Sequence, residues 1–268
     1  MRFASLGSGS RGNSLVVEAG DTKLLLDCGF STRATIEKLA RLAISPEEIA
    51  GILVTHEHGD HIGGVFKFAN RFRVPVYLTQ GTLIAVQQRQ SQLPLCHVLD
   101  GQTLFSIGDL EVRPFPVPHD AREAVQYVFS TGSRRLGVLT DCGKITSHVV
   151  DVLGVCDALV LECNHDRDML SSSNYPYALK RRISEGFGHL SNDQAATLLR
   201  QIETGKLQHI IAAHLSEQNN RPEMAVKALS GALSCVEDWI GVASQEGGFG
   251  WRQGLANLER HAAANTLQ

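Results

Sequence analysis

The sequence predicts an α/β protein built as a four-layer αββα sandwich, on three observations. Short apolar runs of strand length alternate with helix-period segments, the pattern that covers sheets with helices. Two apolar strands end in Asp-Cys-Gly: Leu24-Leu25-Leu26-Asp27-Cys28-Gly29 and Gly137-Val138-Leu139-Thr140-Asp141-Cys142-Gly143. Two others run into histidine, Val54-Thr55-His56 and Ala212-Ala213-His214. These echoes suggest two similar β-then-α halves, with Asp and His at strand ends, where open α/β sheets carry their ligands.

The elements follow in order. Residues 2–6 form a short strand that runs into a glycine- and hydroxyl-rich turn, Gly7-Ser8-Gly9-Ser10-Arg11-Gly12-Asn13-Ser14. Residues 15–18 and 23–27 pair around Ala19-Gly20-Asp21. A helix over 31–42 precedes a buried strand at 51–55; a helix over 61–72 precedes a strand at 74–79. Residues 104–117 and 124–139 read as antiparallel strands, and 157–162 as a further buried strand. Residues 175–186 are helical. Ser191 with Gln194 makes a capping box that opens a helix ending near Gly205. A strand over 207–213 delivers His214, Pro222 opens a helix over 222–233, and 239–244 forms a last edge strand. One domain spans 1–255, with a frayed tail at 256–268.

Bulk properties narrow the class. Hydrophobic residues make up 43% of the 268 and charged residues 20%, which suits a globular chain with a substantial core. No apolar run reaches membrane-spanning length. The start turns glycine-rich before an export signal could form, so a cytoplasmic location is expected. Six scattered cysteines without a C-x-x-C pair suit a reducing compartment. Cys142 neighbours Asp141 and is expected to point away from it in an extended segment. A net charge of −3 excludes coating nucleic acid by bulk charge. It leaves a nuclease open, because divalent cations can supply positive charge locally.

The strongest chemical signal is Thr55-His56-Glu57-His58-Gly59-Asp60-His61, three imidazoles and a carboxylate directly after a buried strand. Neutral imidazole and carboxylate are the usual ligands of Zn²⁺ and related metals. His119 after Phe115-Pro116-Val117-Pro118, Asp141 and His214 each end an apolar run and complete a metal-binding set. Three further segments face substrate. Gly188-His189-Leu190-Ser191-Asn192 puts a histidine and backbone N–H groups at a helix start, a place for phosphate. Glu162-Cys163-Asn164-His165-Asp166 ends a strand near the site, with His165 a candidate catalytic group beside a purely structural role. The turn carrying Ser8, Asn13 and Ser14 offers amides and hydroxyls that could cradle phosphate, or is a plain hairpin turn.

This residue set and chain order resemble the metallo-β-lactamase superfamily. The resemblance implies His56, His58 and His119 on one divalent metal, Asp60, His61 and His214 on the other, and Asp141 bridging. It implies that Asp27 orients the histidine loop and that a hydroxide between the metals is the nucleophile, with Asp60 orienting it. The segment around His189 is similar to the Gly-His-Ser-Thr motif of the tRNase Z nucleases, which implies a proton donor or phosphate contact. With His214-Leu215-Ser216-Glu217-Gln218-Asn219-Asn220 added, the motifs resemble the bacterial YycJ (WalJ) family most. That family implies 5′→3′ exonuclease action on DNA with Zn²⁺ or Mn²⁺, Fe²⁺ being a third option. Substrate-binding residues on this view are Ser8, Asn13, Ser14, Ser191 and Asn192. The alternatives are an RNA-processing nuclease and a thioester or lactone hydrolase of glyoxalase II type. Oligomeric state is not written in the sequence. His97, His148, His209 and His261 read as structural or surface residues, Trp239 and Trp251 as packing, and Phe249-Gly250-Trp251 as an alternative mobile aromatic loop.

Overall fold

Two seven-stranded sheets face each other in the computed structural model, which describes residues 1–87 and 92–253. The first contains β1 (Arg2–Gly7), β2 (Ser14–Ala19), β3 (Thr22–Leu26), β4 (Ile49–Leu53), β5 (Val76–Thr79) and β6 (Cys96–Leu99). The second contains β7 (Phe105–Ile107), β8 (Leu110–Pro116), β9 (Val125–Ser130), β10 (Arg135–Leu139), β11 (Ala158–Glu162), β12 (His209–Ala213) and β13 (Ile240–Val242). The last strand, β14 (Phe249–Gln253), returns to pair antiparallel with β1 at the edge of the first sheet. Each sheet starts as antiparallel hairpins and continues as parallel strands, β3 to β6 and β10 to β13.

The parallel crossovers carry the helices. On the first sheet lie α1 (Thr32–Arg41), α2 (Gly59–Ile62), α3 (Val65–Phe72) and α4 (Gln80–Gln87). With the second go α5 (Ser147–Leu153), α6 (Arg167–Ser172), α7 (Tyr177–Ser184), α8 (Asn192–Gln201) and α9 (Pro222–Leu233). Strand periodicity then makes three cores. Leu24 and Leu26 of β3 pack between the sheets against Val138, Val160 and Ile211, while Leu25 packs outward with Leu39 and Phe68. Leu159 and Leu161 of β11 pack outward with Leu198 and Leu229. Both faces of these strands are buried, which is why they read as unbroken apolar runs. The four-layer αββα expectation holds.

The differences have local causes. The helix expected over 61–72 breaks at Gly63-Gly64, and a side chain at Gly64 would overlap the Phe30 carbonyl oxygen. The two long strands are hairpins, turned at Gly108 (φ +53°) and Gly132 (φ +80°). Helices α5 and α6 escaped the sequence reading although Thr146 and Asp166 cap them through their side chains. Phe249-Gly250-Trp251 is strand rather than mobile loop. The Trp251 indole N–H donates to the Leu42 carbonyl at 3.3 Å, and the Arg2 guanidinium lies 4.0 Å over the ring. The expected tail at 256–268 and His261 lie outside the described residues.

Candidate metal centre

The C-terminal ends of the central parallel strands converge on one spot. Beyond β3, β10 and β12 come Asp27, Asp141 and His214, with φ of 60°, 53° and 54°. Left-handed backbone at a non-glycine residue costs about 1–3 kcal/mol and persists where surrounding contacts over-determine it. Here it turns the three side chains back toward the strand ends. The Asp-Cys-Gly echo thereby gains a physical meaning. A side chain at Gly29 would overlap the Asp60 carbonyl, and one at Gly143 the backbone of Gly186 and Phe187. Each glycine lets an active loop approach its strand end. The intervening cysteines are buried, and burial pushes their thiols up to about 11 for Cys28 and about 12 for Cys142. The Cys142 thiol donates to the Lys144 carbonyl at 3.1 Å. The segment is not extended as expected, because Asp141 is left-handed, yet Cys142 still joins none of the potential ligand groups.

All seven sequence-predicted metal residues meet. His56, His58 and His119 present ligand atoms within 4.8 Å of one another, and so do Asp60, His61 and His214. Asp141 groups both with His56 and His61 and with His214. Hydrogen bonds settle which imidazole nitrogen faces inward. Asp27 accepts from the Thr55 amide and hydroxyl, both at 2.8 Å, and from His61 Nδ1 at 2.7 Å. The single Thr55 hydroxyl proton is thus used, so its oxygen accepts from His56 Nδ1 at 2.9 Å. His119 Nδ1 donates to the Gly188 carbonyl at 3.0 Å, and His214 Nδ1 to Glu162 at 3.0 Å. Four imidazoles are therefore fixed with Nδ1 outward and Nε2 inward, the outer-shell arrangement of metal-binding histidines.

Buried Nε2 of His56, buried Nε2 of His214 and Oδ2 of Asp141 make no hydrogen bond. Asp141 Oδ2 meets His61 Nε2 at 3.0 Å, outside hydrogen-bond geometry. Such orphaned atoms cost about 1–3 kcal/mol each unless something binds them. All three belong to the converging set, and the neutral-imidazole and carboxylate donors fit first-row divalent cations. Burial favours an uncharged His56. Burial also opposes a charge on His61 and His214, but the facing carboxylates, Asp141 first, outweigh it and raise both, His214 to about 10.

Glu162 opens a segment that the sequence places near the site, but its own role emerges only in the structure. Its Oε2 accepts the amides of Cys142 and Leu190 at 2.9 and 3.0 Å, and its Oε1 accepts Nδ1 of His189 at 2.8 Å and of His214 at 3.0 Å. The signal was a carboxylate ending a wholly buried strand, which is costly unless it serves several donors. His189 is half-buried, its Nδ1–H is fixed by Glu162, and its Nε2 is left free of that contact. Burial opposes a proton on His189, and the Glu162 carboxylate outweighs it and raises the imidazole above its ordinary value.

The other predicted residues fall elsewhere. His165 is buried, joins none of the ligand groups, and its Nδ1 has no hydrogen bond. The five expected substrate contacts all make hydrogen bonds within the protein. The Ser8 hydroxyl accepts the His214 amide at 2.9 Å, Asn13 donates to the Asp60 carboxylate at 3.3 Å, and Ser14 donates to the Asp27 carbonyl at 2.8 Å. Ser191 caps α8, and Asn192 pairs reciprocally with Asn220 at 2.9 Å. All five are buried, and the bonds named hold metal-site residues and helices in place. His97 stacks on Tyr77 and His209 packs edge-on against Phe3, both structural as expected.

Known proteins agree with this architecture. Residues 22–210 match the model of the Beta-lactamase superfamily domain. The chain is 37% identical over 239 residues to Exodeoxyribonuclease YycJ of Bacillus anthracis, covering 87% of this chain and 89% of that one. It is 32% identical over 248 residues to Exodeoxyribonuclease WalJ of Streptococcus pneumoniae, covering 90% and 91%. The metallo-beta-lactamase fold protein YhfI of Bacillus subtilis superposes with a TM-score of 0.74 over 94% of this chain and 98% of that one. At 15% identity that likeness concerns the fold alone. No helix among the described residues is long and apolar enough to cross a membrane. With matches this long, the chain belongs to the metallo-β-lactamase superfamily of hydrolases, in the family that holds YycJ and WalJ.

Proposed function

We propose that this chain is a binuclear metal-dependent phosphodiesterase that degrades DNA, in preference to RNA, from the 5′ end. The observation that carries this is the pairing of a complete His/Asp donor set with His189 held by Glu162 beside it. His56, His58 and His119 would hold one cation, Asp60, His61 and His214 the other, and Asp141 would serve both. Two Zn²⁺ or Mn²⁺ ions, or Fe²⁺, would supply Lewis acidity toward the phosphate and activate water. Asp60, half-exposed beside His214, orients the attacking water. As the new P–O bond forms and the old one breaks, His189 gives the Nε2 proton to the leaving oxygen, and Glu162 steadies Nδ1–H. The preference for DNA and the polarity rest on the names and resemblance of the YycJ and WalJ relatives. A cytoplasmic location fits six free cysteines.

The test is metal-loaded protein acting on a 5′-phosphorylated, 3′-labelled DNA duplex, beside an RNA of the same sequence. Stepwise loss from the DNA 5′ end, absent in His58→Ala, is expected. No cleavage of either polymer with two metals bound per chain would overturn the proposal in favour of a thioester or small-ester substrate.

A further inference from the structure

Helices α6 and α7 border a cavity of about 590 Å³ that the machinery above does not use. That is a size suited to a small ligand, where sites run from about 300 to 1,000 Å³. His165, Arg167, Ser171, Tyr177, Lys180 and Arg181 line it. Three cations and no carboxylate are in its wall. Arg167 and Arg181 have acidic neighbours in Asp193 and Glu185, but Lys180 has no carboxylate partner among the described residues and donates to the Ser171 carbonyl at 2.6 Å. His165 is only 1% exposed, and its Nδ1 lacks any hydrogen-bond partner. A buried polar nitrogen lining a basic cavity points to a polar ligand that completes it. Tyr177 stands 76% exposed at the rim, an aromatic face that no core covers.

The cavity is tied to the reacting centre. His165 follows Glu162 by three residues, and its carbonyl accepts the Asn192 amide at 2.9 Å, next to the His189 loop. Arg181 also walls a second cavity of about 330 Å³, which Asp120 lines on its other side. Asp120 lies 3.6 Å from His58. The two cavities thus share Arg181, and the second reaches Asp120 beside the metal centre.

We infer that this cavity is a terminal-phosphate subsite, seating the phosphorylated end nucleotide of the strand whose diester lies at the metal centre. Lys180 and Arg167 face the phosphate, His165 completes its contacts, and Tyr177 stacks the base, a sequence-tolerant interaction. Reading the occupant as a strand end rests on the nuclease proposal; the phosphate chemistry rests on the cavity itself.

The test is calorimetric titration of metal-loaded protein with 2′-deoxyadenosine 5′-monophosphate, its 3′-monophosphate isomer and deoxyadenosine. One monophosphate is expected to bind at least about tenfold tighter than the nucleoside, and which one identifies the strand end. Lys180→Ala should abolish that advantage and Lys180→Arg restore it, while Tyr177→Ala should weaken nucleotide and nucleoside alike by about tenfold or more. With oligonucleotides, Lys180→Ala should raise KM about tenfold for phosphorylated ends, and wild-type and variant KM should coincide for hydroxyl ends. Lys180→Ala that binds the monophosphates as wild type does, or a wild type that does not distinguish them from the nucleoside, would overturn the inference. Lys180-dependent phosphate binding without any strand cleavage would leave the phosphate site standing and sink the nuclease proposal instead.

Discussion

Replacing Glu162 by glutamine swaps one oxygen for an NH₂ group and removes one charge. The wild-type carboxylate accepts four hydrogens, two from amides and two from imidazoles. Glutamine brings an NH₂ that can accept none. If that group faces the imidazoles, His189 and His214 must move their protons to Nε2 to receive it. If it faces the amides of Cys142 and Leu190, those two buried donors are left unmet. The first arrangement keeps the bonds at the expense of two relocated protons; the second loses about two hydrogen bonds at about 1–3 kcal/mol each, so stability should then fall by about 2–6 kcal/mol. In the first arrangement a proton on His214 Nε2 blocks the inward lone pair, so metal affinity should drop by about 10–100-fold. His189 loses the carboxylate that raises it, so the rate on a natural diester should fall by about 10²–10⁴-fold. The assay compares a natural diester with a p-nitrophenyl diester, each rate normalised to bound metal. The p-nitrophenolate leaving group needs no proton, so it should report the metal centre without His189. An equal loss on both substrates at full metal occupancy, or no loss on the natural one, would refute the pairing of Glu162 with His189 as a proton-delivering unit.

Asp141→Ala should lose both metals, because Asp141 lies among the donors of both groups; a purified variant with two metals per chain by elemental analysis would refute the shared role. Metal loading should release roughly two protons per chain near pH 7, from His61 and His214. Both are raised in the metal-free chain, so the stability they contribute is full below about 6.5 and is lost as pH rises through the folded value, about 10 for His214. Apparent metal affinity should therefore climb with pH over that window, and calorimetry in two buffers of different ionisation enthalpy counts the protons; none released would refute the charged metal-free state. Gly29→Ala forces a methyl against the Asp60 backbone carbonyl, where no flexible side chain can yield. It should cost about 1–3 kcal/mol in thermal or denaturant unfolding and lower metal stoichiometry; a wild-type melting point with full metal would show that the loop moves freely.

The parts of the site that carry charge-bearing ligands were legible because their chemistry is dense in sequence. Five of the residues discussed lie between Thr55 and His61, and the others follow apolar runs. The supporting contacts were not legible, for a physical reason. Ser8 and Asn13 lie in a turn whose composition suits phosphate binding. What decides their role is the approach of His214, over two hundred residues away in sequence, whose amide needs an acceptor. Ser191 is legible as a helix cap because its spacing to Gln194 is local, whereas its contact with Arg167 depends on the fold. The segment that Glu162 opens is legible as near the site, but its four hydrogen-bond donors come from Cys142, His189, Leu190 and His214, which only the folded sheets bring together.

Glu162 also explains why the site needs both sheets. Asp27 and Thr55 at the ends of the first sheet fix His56 and His61, whereas Glu162 in the second fixes His214 and His189. The halves are joined by Ser8 on the His214 amide and by the Tyr127 hydroxyl on the Val54 carbonyl at 2.9 Å, while Asn13 ties Asp60 to the β1–β2 turn within the first half. The two cross-sheet ties lie at the strand ends that carry His56 and His214. The left-handed turns at Asp27 and His214 are held by these contacts, since strain of that kind persists only where it is over-determined. Ligand positions are therefore set by protein hydrogen bonds before any cation arrives. Cations at Asp141 would then draw ligands from both sheets together, so metal binding should stabilise the whole sandwich rather than one loop.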